Sequence, residues 1–309
     1  MILYNQKDCL TVRKNLGLPD CILQEGRLTG KILAPKGWSL DLTSGTFDKD
    51  YVNEQIQLGN FIPILGAVEV TNNTPEATTE EYQGGVMSVV RNGLPQFNFK
   101  YLRGGWKFAN ALYTYNSFQA YDVLFVFSSG AVAGATSGTS LTGFDLGMMN
   151  SGTYMFTDGN TSSSVTTSIQ IINEAQFNRD VALLDASILD FNVNTEIFPI
   201  TDIVMTGRAD VSESKVYFKA TFDMNQATRL GGIAIANLKC YKNGVDTVIT
   251  ALSLSFNSTT QEWQFTPTGA FTIADKFIVE LYDSVAVTDV AKIGNRYYKG
   301  ATAEITPVA

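Results

Sequence analysis

The stretch GVMSVVRNGLPQFNFKYL, residues 85–102, decides how the first half of the chain is read. It holds two runs of partial apolar–polar alternation on either side of Arg91, Asn92 and Gly93. Alternation with a period of two sends side chains to opposite faces of a strand, and Asn-Gly favours the positive φ angles of a tight turn. The spacing predicts a β-hairpin. Met87, Val89 and Arg91 would share one face, and Phe97, Phe99 and Tyr101 would line one face of the return strand.

Outward from this hairpin, strand-like runs dominate. YDVLFVFSSG (121–130) is rich in β-branched and aromatic residues and reads as a buried strand. AVAGATSGTSLTGFDLGMMNSG (131–152) is rich in Gly, Ser and Thr, too small-residued for a core and too long for a tight turn, so a surface excursion is expected there, a loop or an edge hairpin that orders against something else. TSSSVTTSIQIINEA (161–175) alternates again through Val165, Thr167, Ile169 and Ile171. Helical signals are short. GGWKFANALYTYNSF (104–118) places Trp106, Ala109, Leu112 and Tyr113 on one helix face, and AQFNRDVALLDA (175–186) does the same with Phe177, Val181 and Leu184. DKDYVNEQIQLGNFIPIL (48–65) reads as a turn of helix running into an extended arm that Pro63 keeps irregular.

The balance of charge changes near residue 200. Residues 1–200 carry 12 Lys and Arg against 19 Asp and Glu, whereas residues 201–309 carry 10 against 11. A second strand series follows, in KVYFKATFDM, IANLKCYKNGVDTVI, LSLSFNSTTQEWQFTP, DKFIVELYDS and RYYKGATAEI, with an Asn-Gly turn at Asn243 and Gly244 and a hairpin loop between Asn257 and Gln261. Several short strands with turn signals and no helix predict an immunoglobulin-like sandwich over residues 201–309, after a larger domain over 1–200.

Composition narrows the chemistry. The chain has 309 residues, is 45% apolar and carries a net charge of −8, which argues against a protein that grips nucleic acid through cations. It has no histidine, which removes Ser/His/Asp and Cys/His nucleophile arrangements and His-ligated zinc. Carboxylate pairs such as Glu80-Glu81 or Asp48-Asp50 could serve a glycosidase, but nothing around them marks a sugar cleft and a solvated loop is the expectation. GNFIPILG and LGGIAIANL lack the glycine spacing of a phosphate loop. No catalytic residue, metal or cofactor is expected. Cys9, Cys21 and Cys240 form no metal-like cluster, and Cys9 and Cys21 are left as a pair that could meet across a hairpin. No segment reaches the roughly 20 apolar residues of a membrane span, and the chain is expected to be made as a soluble cytosolic protein. Trp106, Trp263, Tyr113, Tyr115 and Tyr121 are expected to be core or interface anchors, since base stacking without a basic groove gives little affinity for a polyanion.

The order of elements carries a resemblance. DLTSGTFDKDYVNEQIQLGNFIPILGAVEV, then the acidic TPEATTEEYQGG leading into SVVRNGLPQFNFKYL, a short helix and the strand YDVLFVFSSG together resemble the tail-tube protein fold of tailed bacteriophages, over about residues 30–200. The resemblance implies a mainly β protein: a tail-tube-like β-sandwich with one or two short helices and extended arms, followed by an outer immunoglobulin-like domain. It also implies rings, hexameric in that family, that stack into a hollow tube of the virion tail assembled in the host cytoplasm. The partners it implies are further copies of the chain, other tail proteins and double-stranded DNA in passage.

That resemblance gives a reason for one feature of the sequence. Residues 108–178 run for 71 positions without a lysine, arginine or histidine, yet keep Asp122, Asp145, Asp158 and Glu174. A tube that conducts DNA must not hold it, and a wall without cations does not. Ser88, Gln96 and Thr167 are therefore expected to face the lumen or lie near it, with Arg91 and Lys100 paired to carboxylates or near the rims. Residues 1–36 and 41–65 are expected to be arms between subunits, and 131–152 a third contact element. Phe61, Ile62, Ile64 and Leu65 would be buried by a neighbouring subunit. The competing readings are a capsid decoration or head-fibre protein, a carbohydrate-binding adhesin that exposes Trp106 or Trp263 as a sugar platform, and a glycoside hydrolase.

Overall fold

The computed structural model describes residues 4–5, 26–83, 85–102, 104–159, 161–186, 189–223, 225–247 and 254–308. The chain is mainly β and divides into two compact units, Met1–Ile197 and Phe198–Ala309. Cys9 and Cys21, and most of the expected arm over residues 1–36, lie outside the described residues.

The first unit begins with β1 (Tyr4–Asn5), β2 (Leu28–Pro35) and β3 (Ser39–Asp41), followed by helix α1 (Lys49–Gln57), β4 (Ile62–Leu65) and β5 (Glu69–Asn72). Asp48 caps α1, its carboxylate accepting from the Tyr51 amide at 2.8 Å. Val52 and Ile56, four apart, point inward from the helix. Next come β6 (Thr78–Tyr82), β7 (Val86–Arg91), β8 (Gln96–Tyr101), α2 (Gly105–Thr114) and β9 (Ser117–Phe118). The unit closes with β10 (Tyr121–Phe127), β11 (Val132–Ser137), β12 (Ser140–Thr142), β13 (Phe144–Ser151), β14 (Val165–Ile171), α3 (Glu174–Asn178), β15 (Val181–Leu184) and α4 (Val193–Glu196).

Strand β10 organises the unit. One edge pairs antiparallel with β2 from Tyr121 opposite Pro35 to Phe127 opposite Leu28, and the other is shared between β11 and β13. Strand β13 passes a bulge between Leu146 and Met148 and then pairs with β14, which pairs with β8, which pairs with β5. The β8–β14 layer lies over the β2–β10 layer. Phe99 stacks on Phe125 with ring centroids 6.3 Å apart, Phe97 meets Phe125 at 5.3 Å, and Leu33, Tyr101, Val123, Phe144 and Ile169 fill the space with them.

Several expectations are corrected. Asn92 and Gly93 do not form a tight turn between β7 and β8: β7 pairs with β6, whereas β8 lies between β5 and β14. Gly93 is needed for close approach, because a Cβ there would sit 1.7 Å from the Pro75 carbonyl oxygen. Residues 131–152 are no surface excursion but β11, β12 and β13, with Ala131, Ala133, Ala135 and Leu141 buried. Small residues are required where strands and side chains crowd. A Cβ on Gly134 would lie 2.4 Å from the Thr142 carbonyl oxygen and 2.7 Å from the Leu124 side chain. Gly134→Ala is therefore expected to cost about 1–3 kcal/mol, seen as a lowered thermal midpoint, and an unchanged midpoint would contradict this packing. The helix expected over 175–186 stops at Asn178, because Val181–Leu184 completes the edge of β11 as β15.

The expected arms are corrected too. Strand β2 is an interior strand between β10 and β4, and residues 41–65 hold α1 and β4. Phe61, Ile64 and Leu65 are buried and Ile62 partly so within their own subunit, with Phe61 edge-on to Trp38 at 5.1 Å. Pro63 sits inside β4 opposite Ile32, which an edge strand tolerates.

The second unit contains β16 (Thr201–Asp210), β17 (Lys215–Phe222), β18 (Asn225–Arg229), β19 (Leu238–Lys242), β20 (Val245–Thr247), β21 (Ser255–Asn257), β22 (Glu262–Phe265), β23 (Phe277–Leu281), β24 (Ala291–Ile293), β25 (Arg296–Lys299) and β26 (Pro307–Val308). One sheet runs β21-β22-β17-β16-β25-β24, and a second runs β20-β19-β23. Ile203, Val216, Phe218 and Phe265 from the first pack with Cys240, Phe277, Val279 and Leu281 from the second, so two sheets share one core. Asn243 and Gly244, with φ of 52° and 80°, make the expected two-residue turn with Lys242 opposite Val245. Asn257 pairs with Glu262 around the other expected loop.

Candidate functional site

The outer face of β13, β14, β8 and β5 carries Gln96 and Lys100, both singled out in the sequence. On β14 the buried set is Val165, Thr167, Ile169 and Ile171, so Thr166, Ser168 and Gln170 point the other way. Register places Thr166 opposite Lys100, Ser168 opposite Asn98 and Gln170 opposite Gln96. Strand β13 adds Met148 and Asn150, and β5 adds Glu69 and Thr71. These are amides and hydroxyls, one thioether and one ion pair, Lys100 Nζ to Glu69 at 3.6 Å, an exposed pair worth at most about 1 kcal/mol. The face carries no net charge.

Gln96 belongs to this face. Ser88 is exposed and sits on the β6–β7 sheet. Thr167 is corrected: it is fully buried, because it shares the parity of Val165 and Ile169, and a residue of that parity cannot face a lumen. Its hydroxyl instead accepts a hydrogen bond from Lys31 Nζ. Lys31 projects from β2 into the core, its ammonium 4.1 Å from the Phe99 ring centroid and 5.7 Å from that of Tyr101. Burial pulls the Lys31 pKa down to about 7.

A second cation enters the cation-free stretch from outside. Asp122 and Asp145 lie directly opposite one another on β10 and β13, and Lys36 Nζ bridges them at 3.0 and 2.7 Å. The Gly37 amide donates to Asp122 at 2.7 Å. Burial, together with the neighbouring Asp145 charge, holds the Asp122 carboxyl above its usual range against the pull of Lys36 and Gly37. For Lys36 burial acts downward, and the hydrogen bonds and charges of Asp145 and Asp122 together raise its pKa. Of the other acids, Glu174 accepts from Asn92 at 2.8 Å, and Asp158 accepts from the Thr161 amide at 2.7 Å. The stretch stays net acidic, since one lysine serves two aspartates while Glu174 and Asp158 are held by neutral donors. Lys36→Met would set two carboxylates against each other without a cation. Because Lys36 is 40% exposed, the expected loss is about 1–3 kcal/mol, recovered in large part by adding Asp145→Asn, as urea denaturation would show.

A comparison with protein-family models finds no match, and a comparison with curated proteins finds none either. The reading of the chain therefore rests on its own residues. Among the described residues no group of three or more His, Cys, Asp or Glu is arranged to hold a metal ion, and no helix is long and apolar enough to cross a membrane. Glu80 and Glu81 are exposed on β6, and Asp48 is taken up by its helix cap. Trp263 is half-buried against Phe256 at 5.1 Å, whereas Trp106 is 65% exposed.

Sequence reasoning missed Lys31 and Lys36 because both lie before the stretch they serve. A signal exists: the apolar run that follows Lys31 in LTGKILAP is buried at both parities, so the strand is covered on both faces and Lys31 with it.

Proposed function

We propose that the chain is a virion structural subunit, without enzymatic activity, that self-assembles into stacked rings forming the hollow tail tube through which phage DNA passes. The observation that carries this reading is the β13–β14–β8–β5 face, a wide sheet surface of amides and hydroxyls whose one lysine is paired. DNA is retained by lysine and arginine that displace counterions, so a surface of this composition lets a duplex slide past. Among the described residues β4 and β5 each pair with one strand only, which leaves edges for a neighbouring copy to continue. The ring size, hexameric, follows the family that the chain resembles. The second unit, read as immunoglobulin-like, would stand outside the tube, and other tail proteins would meet its ends.

Negative-stain electron microscopy of the purified protein at rising concentration tests the reading. Hollow tubes or stacked rings are expected, and a monomer that stays monodisperse up to millimolar concentration would count against it.

A further inference from the structure

Strands β6 and β7 form a sheet of their own that pairs with nothing else among the described residues. A two-stranded hairpin is marginal in water unless something covers it. Here the described residues of the subunit leave it open: Met87, Val89 and Val90 are 65%, 57% and 60% exposed. The register puts Glu81 opposite Met87 and Thr79 opposite Val89, so Met87, Val89, Thr79 and Glu81 share one face.

Elsewhere on the same unit an aromatic surface is equally uncovered. Trp106 and Tyr113 on α2 and Phe156 beyond β13 are each about two-thirds exposed. Trp106 meets Phe156 at 5.3 Å and Tyr154 at 6.3 Å, and Phe156 meets Tyr154 at 5.7 Å, so the three rings form one cluster in which Trp106 and Phe156 stay exposed. Between α2 and residues 152–154 lies a cleft of about 510 Å³, with Lys107, Ala109, Asn110 and Thr153 among its lining. Exposed apolar clusters of this kind mark contact sites.

The two surfaces are complementary. One offers aliphatic side chains beside a carboxylate, and the other an aromatic cleft beside an ammonium. The subunit's own hairpin does not fill its own cleft, since the hairpin side chains are solvent-exposed. We propose that the β6–β7 hairpin of one copy docks into the aromatic cleft of a second copy, with Met87 and Val89 against Trp106 and Tyr154 and Glu81 toward Lys107. Every copy carries one of each surface, so the contact is head-to-tail and repeats from copy to copy, as a ring or filament requires. The inference rests on the self-assembly reading and names the contact that propagates it.

The experiment mixes full-length Met87→Cys protein with full-length Asn110→Cys protein under assembly conditions and oxidises the mixture. Each variant alone controls for the three native cysteines. A disulfide-linked dimer specific to the mixture is expected, and Trp106→Ala is expected to raise the concentration needed for assembly by at least about tenfold, with an unchanged circular dichroism spectrum. Tubes or rings that form without that cross-link, and at the same concentration in Trp106→Ala, overturn the docking while leaving the tube reading in place. Absence of any assembly overturns both. Saturable quenching of Trp106 fluorescence by saccharides, with assembly unaffected by Trp106→Ala, overturns the docking in favour of a sugar platform.

Discussion

Lysines placed at Ser168 and Gln170 are expected, on the tail-tube proposal, to leave ring and tube formation intact and to cut DNA delivery by about tenfold or more. Both side chains point away from the core, lie opposite Asn98 and Gln96 and are half-buried, so the flexible stem of a lysine there can carry its ammonium out to solvent. Every ring would repeat the added charges, and each neutralised phosphate adds a counterion-release contribution that holds the duplex. Glutamates at the same two positions serve as the control, since they alter charge and size without attracting phosphate. Infectivity of phage assembled with each variant is the readout. Equal titres for the lysine and glutamate variants would remove this face from the path of the DNA. Lysine at Thr167 belongs to a different experiment, because it would force a second ammonium into the core beside Lys31 and should prevent folding.

The double variant Lys31→Met, Thr167→Val is expected to stabilise the first unit by roughly 3 kcal/mol at pH 7. A pKa pulled from 10.5 to about 7 means that folding must partly neutralise the amine or bury its charge. At about 1.4 kcal/mol per pKa unit this penalty amounts to roughly 4–5 kcal/mol, some of which the Phe99 ring and the Thr167 hydroxyl offset. Changing both partners leaves no unpaired hydroxyl behind. The folded pKa lies below the unfolded one, so the unfolded chain holds more protons between the two. Wild-type stability should therefore rise as pH climbs from about 7 to about 10.5, and stay flat with respect to this group below 7. The double variant should lack that slope. Denaturation followed by tryptophan fluorescence in a Trp263→Phe background reports on the first unit, and a variant that is less stable or keeps the slope would show that Lys31 is better accommodated than its surroundings imply.

Mainly β character was legible wherever the determinants are local. Asn243 and Gly244 adopt the turn their residue types favour, because their strands are neighbours in sequence and nothing competes. Asn92 and Gly93 have the same chemistry, yet the partners of Phe97 and Phe99 are Asn72 and Val70 on one side and Ile169 and Thr167 on the other. Long-range pairing overrides the local turn. The glycines and alanines of 131–137 read as loop because residue size alone does not show how near another strand will come. Phe177, Val181 and Leu184 fit a helix by spacing, and only the open edge of β11 makes the last two strand residues.

The candidate face divides in the same way. Gln96 lies on this face because it is polar between Pro95 and Phe97 in an alternating run, a placement legible from the sequence. Thr167 was misplaced because its hydroxyl suggested solvent while its parity with Val165 and Ile169 placed it inside. The sequence could not supply its partner Lys31, which lies 136 positions away. Phe61, Ile64 and Leu65 read as needing a neighbouring subunit only because Trp38 and β2, their actual surroundings, are distant in the chain.

The joint between β2 and β10 has a mechanical consequence. The two strands are hydrogen-bonded along the whole of β10, with one irregularity near its end. A pull directed along them loads all of those rungs together in shear, whereas a pull on the separate β6–β7 pair from its open end would unzip it rung by rung. Force transmitted through an assembly of such subunits should therefore open its hairpins long before it tears the body of any subunit.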